Sequence, residues 1–298
     1  MKEEMKEEMT EKMNDESYKP RNLGPVYSYP MGIWLTIFFI APIAIILAYT
    51  FLKKGLYGGV EMEFSMKALR QMMNPTYGMI LLRTIWISAI STVITLLIAF
   101  PCGYAMARSS HQTLLLFLVI ITFWTNSLIR IFAWKSILGN DGALNRLLMS
   151  LHITNDYIQF LYNQKAIILV SVYMYIPYAI LPLFTAIDRF DFSLLEAARD
   201  LGATKLQSVR MILVPSVKSG LISALIFTFI PIFGAYSVPM LVGGTDSSMI
   251  GNIIVDQIMI TRNWPLACAF SLVITLISLA GVIWMIKAGR KDEKLHKK

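Results

Sequence analysis

An all-α fold that crosses a membrane six times is predicted by three observations. The chain of 298 residues is 56% hydrophobic and only 15% charged. Its mean hydropathy is +0.58, far from the balance of a soluble domain. Its apolar residues gather into six runs of about the 20 residues needed to traverse a hydrocarbon layer roughly 30 Å thick. These runs fall at 33–51, 85–105, 114–131, 167–187, 221–242 and 266–286.

The first thirty residues are densely charged and lack the short apolar core and small-residue cleavage site of a secretory signal. They are expected to stay attached as a solvated tail, followed by a membrane domain over 31–287 and a basic tail over 288–298. An even number of spans puts both termini on one side. If that side is the cytoplasm, 17 of the 27 lysines and arginines lie inside, against 10 in the three opposite segments. The excess predicts cytoplasmic termini, although Lys53, Lys54, Lys67, Arg70 and Arg83 sit on the other side. Topology thus accounts for the net charge of +8, and no soluble basic face offers itself to nucleic acid.

Each span carries its own signals. Trp34, Tyr49, Trp134, Trp264 and Trp284 fall near span ends, where amphipathic rings favour the membrane interface. Cys102 and Cys268 lie inside spans and are expected as small buried hydrophobes, without a disulfide or metal site. Thr125, Asn126 and Ser127 form a polar cluster in the third span that could serve solute passage or equally bond a neighbouring helix. The outer loops 53–83, 132–165 and 243–265 have room for short interfacial helices, one of them at 143–151 with Asp141 as its cap. Pro177 and Pro182 are expected to break the fourth span, and Pro231, Gly234 and Pro239 the fifth. Broken spans are tolerated at depth where protein or water satisfies the freed carbonyls, so these two line a pathway or carry packing kinks.

Between those two spans lies a polar insert, residues 193–215, predicted to be cytoplasmic. Ser193 and Glu196, then Thr204 and Gln207, have the spacing of two successive capping boxes. Gly202 between them supplies the left-handed turn that ends one helix before the next begins, and Pro215 stops the second. The expectation is helix, elbow, helix. Leu194, Leu195 and Leu201 would give the first helix an apolar face, and the small Ala197 and Ala198 would let a partner approach closely.

What is missing narrows the function. The sequence has no G-x-x-x-x-G-K-[ST] loop for nucleotide phosphates, no H-E-x-x-H, and only three histidines, none deep in a span. No catalysis, metal site or cofactor is expected in this chain. Acidic residues are absent from the span centres, which argues against an ion-coupled carrier.

The insert resembles the EAA loop of permease subunits of ATP-binding-cassette importers, with pattern E-A-A-x3-G-x9-I-x-L-P. Glu196, Ala197, Ala198, Gly202, Ile212 and Pro215 stand at that spacing, and Val214 replaces the leucine. The stretches LRTIWISAISTVITLLIAFPCGYAMAR, SLIRIFAWKSILGNDGALNRLL, LLEAARDLGATKLQ and MIGNIIVDQ with NWPLACAFS look like the spermidine/putrescine importer permeases. The likeness is to the larger of their two paired permeases.

The resemblance implies the type I importer permease fold, in the bacterial cytoplasmic membrane. It also implies a second permease subunit, copy or homologue, two cytoplasmic ATPases that bind ATP and Mg, and an extracytoplasmic polyamine-binding protein. Ser193, Glu196, Ala197, Ala198, Arg199, Gly202, Ala203, Thr204, Ile212 and Pro215 would then couple the subunit to its ATPase. A polycation would pass over aromatic faces and spaced carboxylates, for which Trp124, Tyr173, Tyr178, Tyr236, Asp246 and Asp256 are candidates. Each of these six has a plain structural alternative, in helix packing or solvation. Permeases for ferric iron, sulfate or phosphonate share the loop and remain open alternatives. A self-sufficient channel or carrier is the rival from another class.

Overall fold

A computed structural model describes residues 24–295. Residues 1–23 and 296–298 of the two expected tails lie outside the described residues. The chain divides into two units, Met1–Ile45 and Ile46–Lys298. In the first, helix α1 (Gly24–Leu35) passes through a π-turn (Thr36–Ile40) into α2 (Ala41–Thr50). Its residues Tyr29–Thr50 are long and apolar enough to span, and Trp34 and Phe38 place their rings 4.1 Å apart.

After the end of α2, the second unit has an element absent from the sequence reading, an antiparallel hairpin of β1 (Leu52–Lys54) and β2 (Val60–Phe64). The alternation Val60-Glu61-Met62-Glu63-Phe64 has the strand period of two, and Gly58 and Gly59 turn the chain at positive φ. Lys53 sits between Glu61 and Glu63, at 3.0 and 2.9 Å. After α3 (Lys67–Met72), Asn74 caps α4 (Pro75–Ala107) by accepting the Thr76 N–H at 3.0 Å. The 33 residues of α4 measure about 50 Å at 1.5 Å per residue, enough to span with a tilt.

The third span departs most from expectation. Helix α5 (Gln112–Trp124) ends at Thr125, and the chain turns by 91° there into α6 (Ser127–Leu138), which leads to α7 (Ala143–Ser150). Asn126 does not bond a neighbouring helix; its side chain accepts the Leu128 N–H at 2.8 Å and caps α6. The predicted helix after Asp141 is present as α7, but Gly142 occupies its cap position with no side-chain bond.

Helix α8 (Gln164–Asp188) runs unbroken through Pro177 and Pro182, correcting the expected interruption. This stretch is tightly packed, with Pro177, Ala179, Leu183 and Ile187 buried. Then follow α9 (Ser193–Asp200), α10 (Lys205–Ser208), a π-turn (Val209–Leu213), α11 (Val214–Ser216) and α12 (Lys218–Phe233). Gly234 does end the fifth span, and α13 (Ser237–Val242) resumes after it. A 3-10 turn (Thr245–Ser247), α14 (Ile250–Met259) and α15 (Trp264–Leu295) complete the described chain. Among the described residues, four helices are long and apolar enough to cross a membrane, or up to six if each bent pair is one span.

The core of this unit is the triad α4, α8 and α12. Small residues permit the approach that apolar solvent alone would not drive. A side chain at Gly103 would press on the Phe184 backbone N at 3.3 Å, and one at Gly220 would collide with Ala186. Helix α4 turns a hydroxyl face inward, with Thr84, Ser88, Ser91, Thr92 and Thr95 buried. Thr84 links distant chain segments: its Oγ1 donates to the Ile80 carbonyl and accepts the Ile250 N–H at 3.0 Å. Cys102, expected to be buried, faces outward from α4, while Cys268 is half-buried.

Candidate functional site

The polar insert folds as the helix, elbow, helix that its spacing predicts, with one change at its entrance. Ser193 is not a cap. The Asp191 carboxylate accepts the Ser193 N–H at 3.0 Å and so starts α9, and the Ser193–Glu196 capping box does not form. The Ser193 hydroxyl first, and its N–H second, hold the Asp191 pKa below the ordinary carboxylate value.

At the far end, Gly202 has φ +90°. Its N–H donates to the Arg199 carbonyl at 2.9 Å, and the next N–H, of Ala203, reaches back to Ala198 at 3.0 Å. This pair of bonds is a Schellman closure, which needs a left-handed residue at that position. The second capping box forms in full. Thr204 Oγ1 accepts the Gln207 N–H at 3.3 Å, and the Gln207 side chain accepts the Thr204 N–H at 2.9 Å. Thr204→Ala should cost α10 about 1 kcal/mol, seen as faster hydrogen exchange at the Gln207 amide with α9 unaffected. Pro215 lies inside the last turn, and the chain bends 75° at Val217 into α12.

The elbow is anchored from within. Leu195, 1% exposed, packs with Met106, Ile187, Leu213 and Val217. Leu194 is half exposed and Leu201, Leu206 and Met211 are largely exposed, as are Glu196 and Ala197. Arg199, expected at a rim, has its Nε buried without a hydrogen-bond partner. Sequence reasoning missed the contact that ties the elbow to the α4–α5 turn. Arg108 lies 5.3 Å over the Phe192 ring and donates to the Tyr104 hydroxyl at 3.2 Å. That bond, with a smaller attraction from Glu196, raises the Arg108 pKa above its already high value. Tyr104 and Phe190 meet Phe192 edge-on, at 6.0 and 5.6 Å.

Residues of α4, α5, α6 and α8 line an open groove of about 750 Å³, among them Arg130 and Tyr173, with Ser109 from the turn after α4. Of the six expected pathway residues, Tyr173 alone lines it. Tyr173 stands 5.3 Å edge-on from Trp134, so that tryptophan packs inside rather than serving a belt. Tyr178 packs against Phe123 and Tyr175, at 4.8 and 5.5 Å. Trp124 is 82% exposed where α5 ends. Tyr236 occupies the break after α12, its carbonyl accepting from the Asn252 side chain at 3.0 Å. Asp246 and Asp256 are both exposed, and the Asp246 carbonyl accepts a bond from Arg83. No carboxylate lines the groove.

The long helices of this membrane bundle are thus joined through an exposed helix-elbow-helix projection. Residues 96–286 match the family described as binding-protein-dependent transport system inner membrane component, and the chain belongs to that family. It is 36% identical to the spermidine/putrescine transport system permease protein PotB of Haemophilus influenzae, over 82% of this chain and 86% of that one. Against PotB of Escherichia coli K12 the identity is 35%, over 82% and 90%. In fold it resembles a chain of the bacterial alginate ABC transporter solved in complex with an alginate pentasaccharide-bound periplasmic protein. That likeness has TM-score 0.72 at 15% identity and covers 90% of this chain and 94% of that one.

Proposed function

We propose that this chain is one of two permease subunits in an ATP-driven importer of polyamines of the spermidine/putrescine class. The observation that carries the reading is the intact elbow, with its Schellman closure and capping box, in a chain aligned over 82% of its length with polyamine permeases. Partner ATPases bind ATP and Mg on the cytoplasmic side, where both termini lie, and an extracytoplasmic binding protein delivers the solute.

In this reading α9 seats in the ATPase through Leu194, Ala197 and Leu201, with Glu196 and Arg199 at its edge. Nucleotide-driven closure displaces α9. Leu195 transmits the displacement to α4 and α8, and the bend at Val217 transmits it to α12, so that access alternates between the two membrane faces. Gly202, Ala203, Thr204, Ile212 and Pro215 keep the elbow angle constant during the stroke. Tyr173 and Tyr178 offer aromatic faces along the way; Trp124, Tyr236, Asp246 and Asp256 belong to the outer approach. A groove without carboxylates releases a polycation readily, which leaves substrate choice to the binding protein.

Proteoliposomes carrying the full complex test the reading. Labelled spermidine should accumulate only with internal ATP and external binding protein, and neither ferric iron nor a phosphonate should compete. Spermidine flux through this chain alone, without nucleotide, would replace the reading with a channel or carrier.

A further inference from the structure

Arg130 occupies a place where an arginine is costly. Its groove partners on α8 run from Tyr173 to Ile180, in the middle of a 25-residue apolar span. Its Nε is buried without a hydrogen-bond partner, and among the described residues no carboxylate lies within 4 Å of it. The Tyr175 phenol is within electrostatic reach but carries no compensating charge at neutral pH. A second observation points to the same spot. The third span breaks by 91° beside it, which frees the last carbonyls of α5. Intramembrane charges and freed backbone carbonyls both require protein or a water-filled cavity, and lipid satisfies neither.

The electrostatics at this point add rather than cancel. Asn126 begins α6, so Arg130 sits one turn from the positive end of that helix dipole. A site that held a cation would pair it with a carboxylate, whereas this groove presents a guanidinium and a helix N-terminus of the same sign. Arginines and half-helix N-termini in membrane pores act as barriers to cations and protons.

We propose that Arg130, reinforced by the α6 N-terminus, is an electrostatic seal that blocks passive leakage of small cations and protons through the permease between transport cycles. The inference rests on the reading of this chain as a permease that lines an aqueous path. A polycation delivered by a binding protein crosses during an ATP-driven rearrangement; a free proton or potassium ion has neither aid.

The test uses nucleotide-free proteoliposomes of the complete complex with a trapped pH-sensitive dye. Arg130→Gln should raise proton influx by about tenfold, the factor for the roughly 1.4 kcal/mol that a unit charge about 12 Å from the path adds to a barrier at an effective dielectric near 20. Arg130→Lys, which keeps the charge, should leak like the wild type. An unchanged leak in Arg130→Gln overturns the seal, as does a Lys variant that leaks as much as the Gln variant. Cys102, on the same groove wall, supplies a readout that needs no change at Arg130. In a Cys268→Ser background a water-soluble, membrane-impermeant thiol reagent added from the elbow side should label Cys102; failure to label means the groove holds no water and sinks the proposal. ATP-dependent spermidine uptake is measured in parallel. Normal uptake with an unchanged leak defeats the seal alone, whereas absent uptake by the wild type defeats the importer reading.

Discussion

Gly202→Val should leave the subunit in the membrane at its normal level yet reduce ATP-driven uptake by about tenfold or more, the factor that corresponds to 1.4 kcal/mol. An added Cβ meets nothing within 4 Å, so the cost is not a clash. It comes from φ +90°, which disfavours an ordinary residue by about 1–2 kcal/mol and a β-branched one by more. The backbone relaxes by giving up the Ala203-to-Ala198 and Gly202-to-Arg199 bonds, and α10 then leaves α9 at a new angle. The body of the protein does not depend on that angle, but simultaneous seating of both helices on an ATPase does. Co-purification with the ATPase and uptake should fall together, while membrane levels by immunoblot stay constant. Gly202→Ala should be intermediate. Wild-type uptake in the valine variant would remove the elbow from the coupling route.

Gly220→Leu should do the reverse, lowering the amount of folded subunit before any effect on coupling is measurable. Its Cβ would overlap the Ala186 Cβ and approach the Pro182 carbonyl at 3.1 Å, on rigid helices that have no flexible side chain to displace. Overpacking of this kind costs about 1–3 kcal/mol, and here it separates α12 from α8 along the centre of the bundle. Thermal unfolding in detergent should shift downward. Because the obstruction is one methyl group, Gly220→Ala paired with Ala186→Gly should recover most of the loss that Gly220→Ala causes alone. A leucine variant as stable as the wild type would mean that the two helices do not approach this closely in the membrane.

Gly202 was legible from the caps around it and Gly220 was not, and the same limit applies to other residues. The capping spacing of Thr204 and Gln207 was legible because it is a local rule, satisfied within one turn of chain. The identical spacing at Ser193 and Glu196 misled, because Asp191 reached the same N–H group first. Proline in α8 failed as a break signal because burial on several sides overrode local preference. Asn126 broke the third span where an uninterrupted apolar run was expected. The place of Arg130 in the groove depends on that break and on the packing of α8, which no residue beside it in the chain encodes.

The sequence by itself determined the membrane class, the six apolar segments, the elbow and its glycine, and the family, since each rests on composition or on spacing within a few turns of helix. Tertiary structure alone decided that Leu195 anchors the elbow, that Arg108 clamps Phe192, that Gly220 is a packing contact and that Arg130 faces a groove unpaired. Those outcomes depend on distances between segments far apart in the chain. Such distances are set by how whole helices pack, a property that no local pattern of residues encodes.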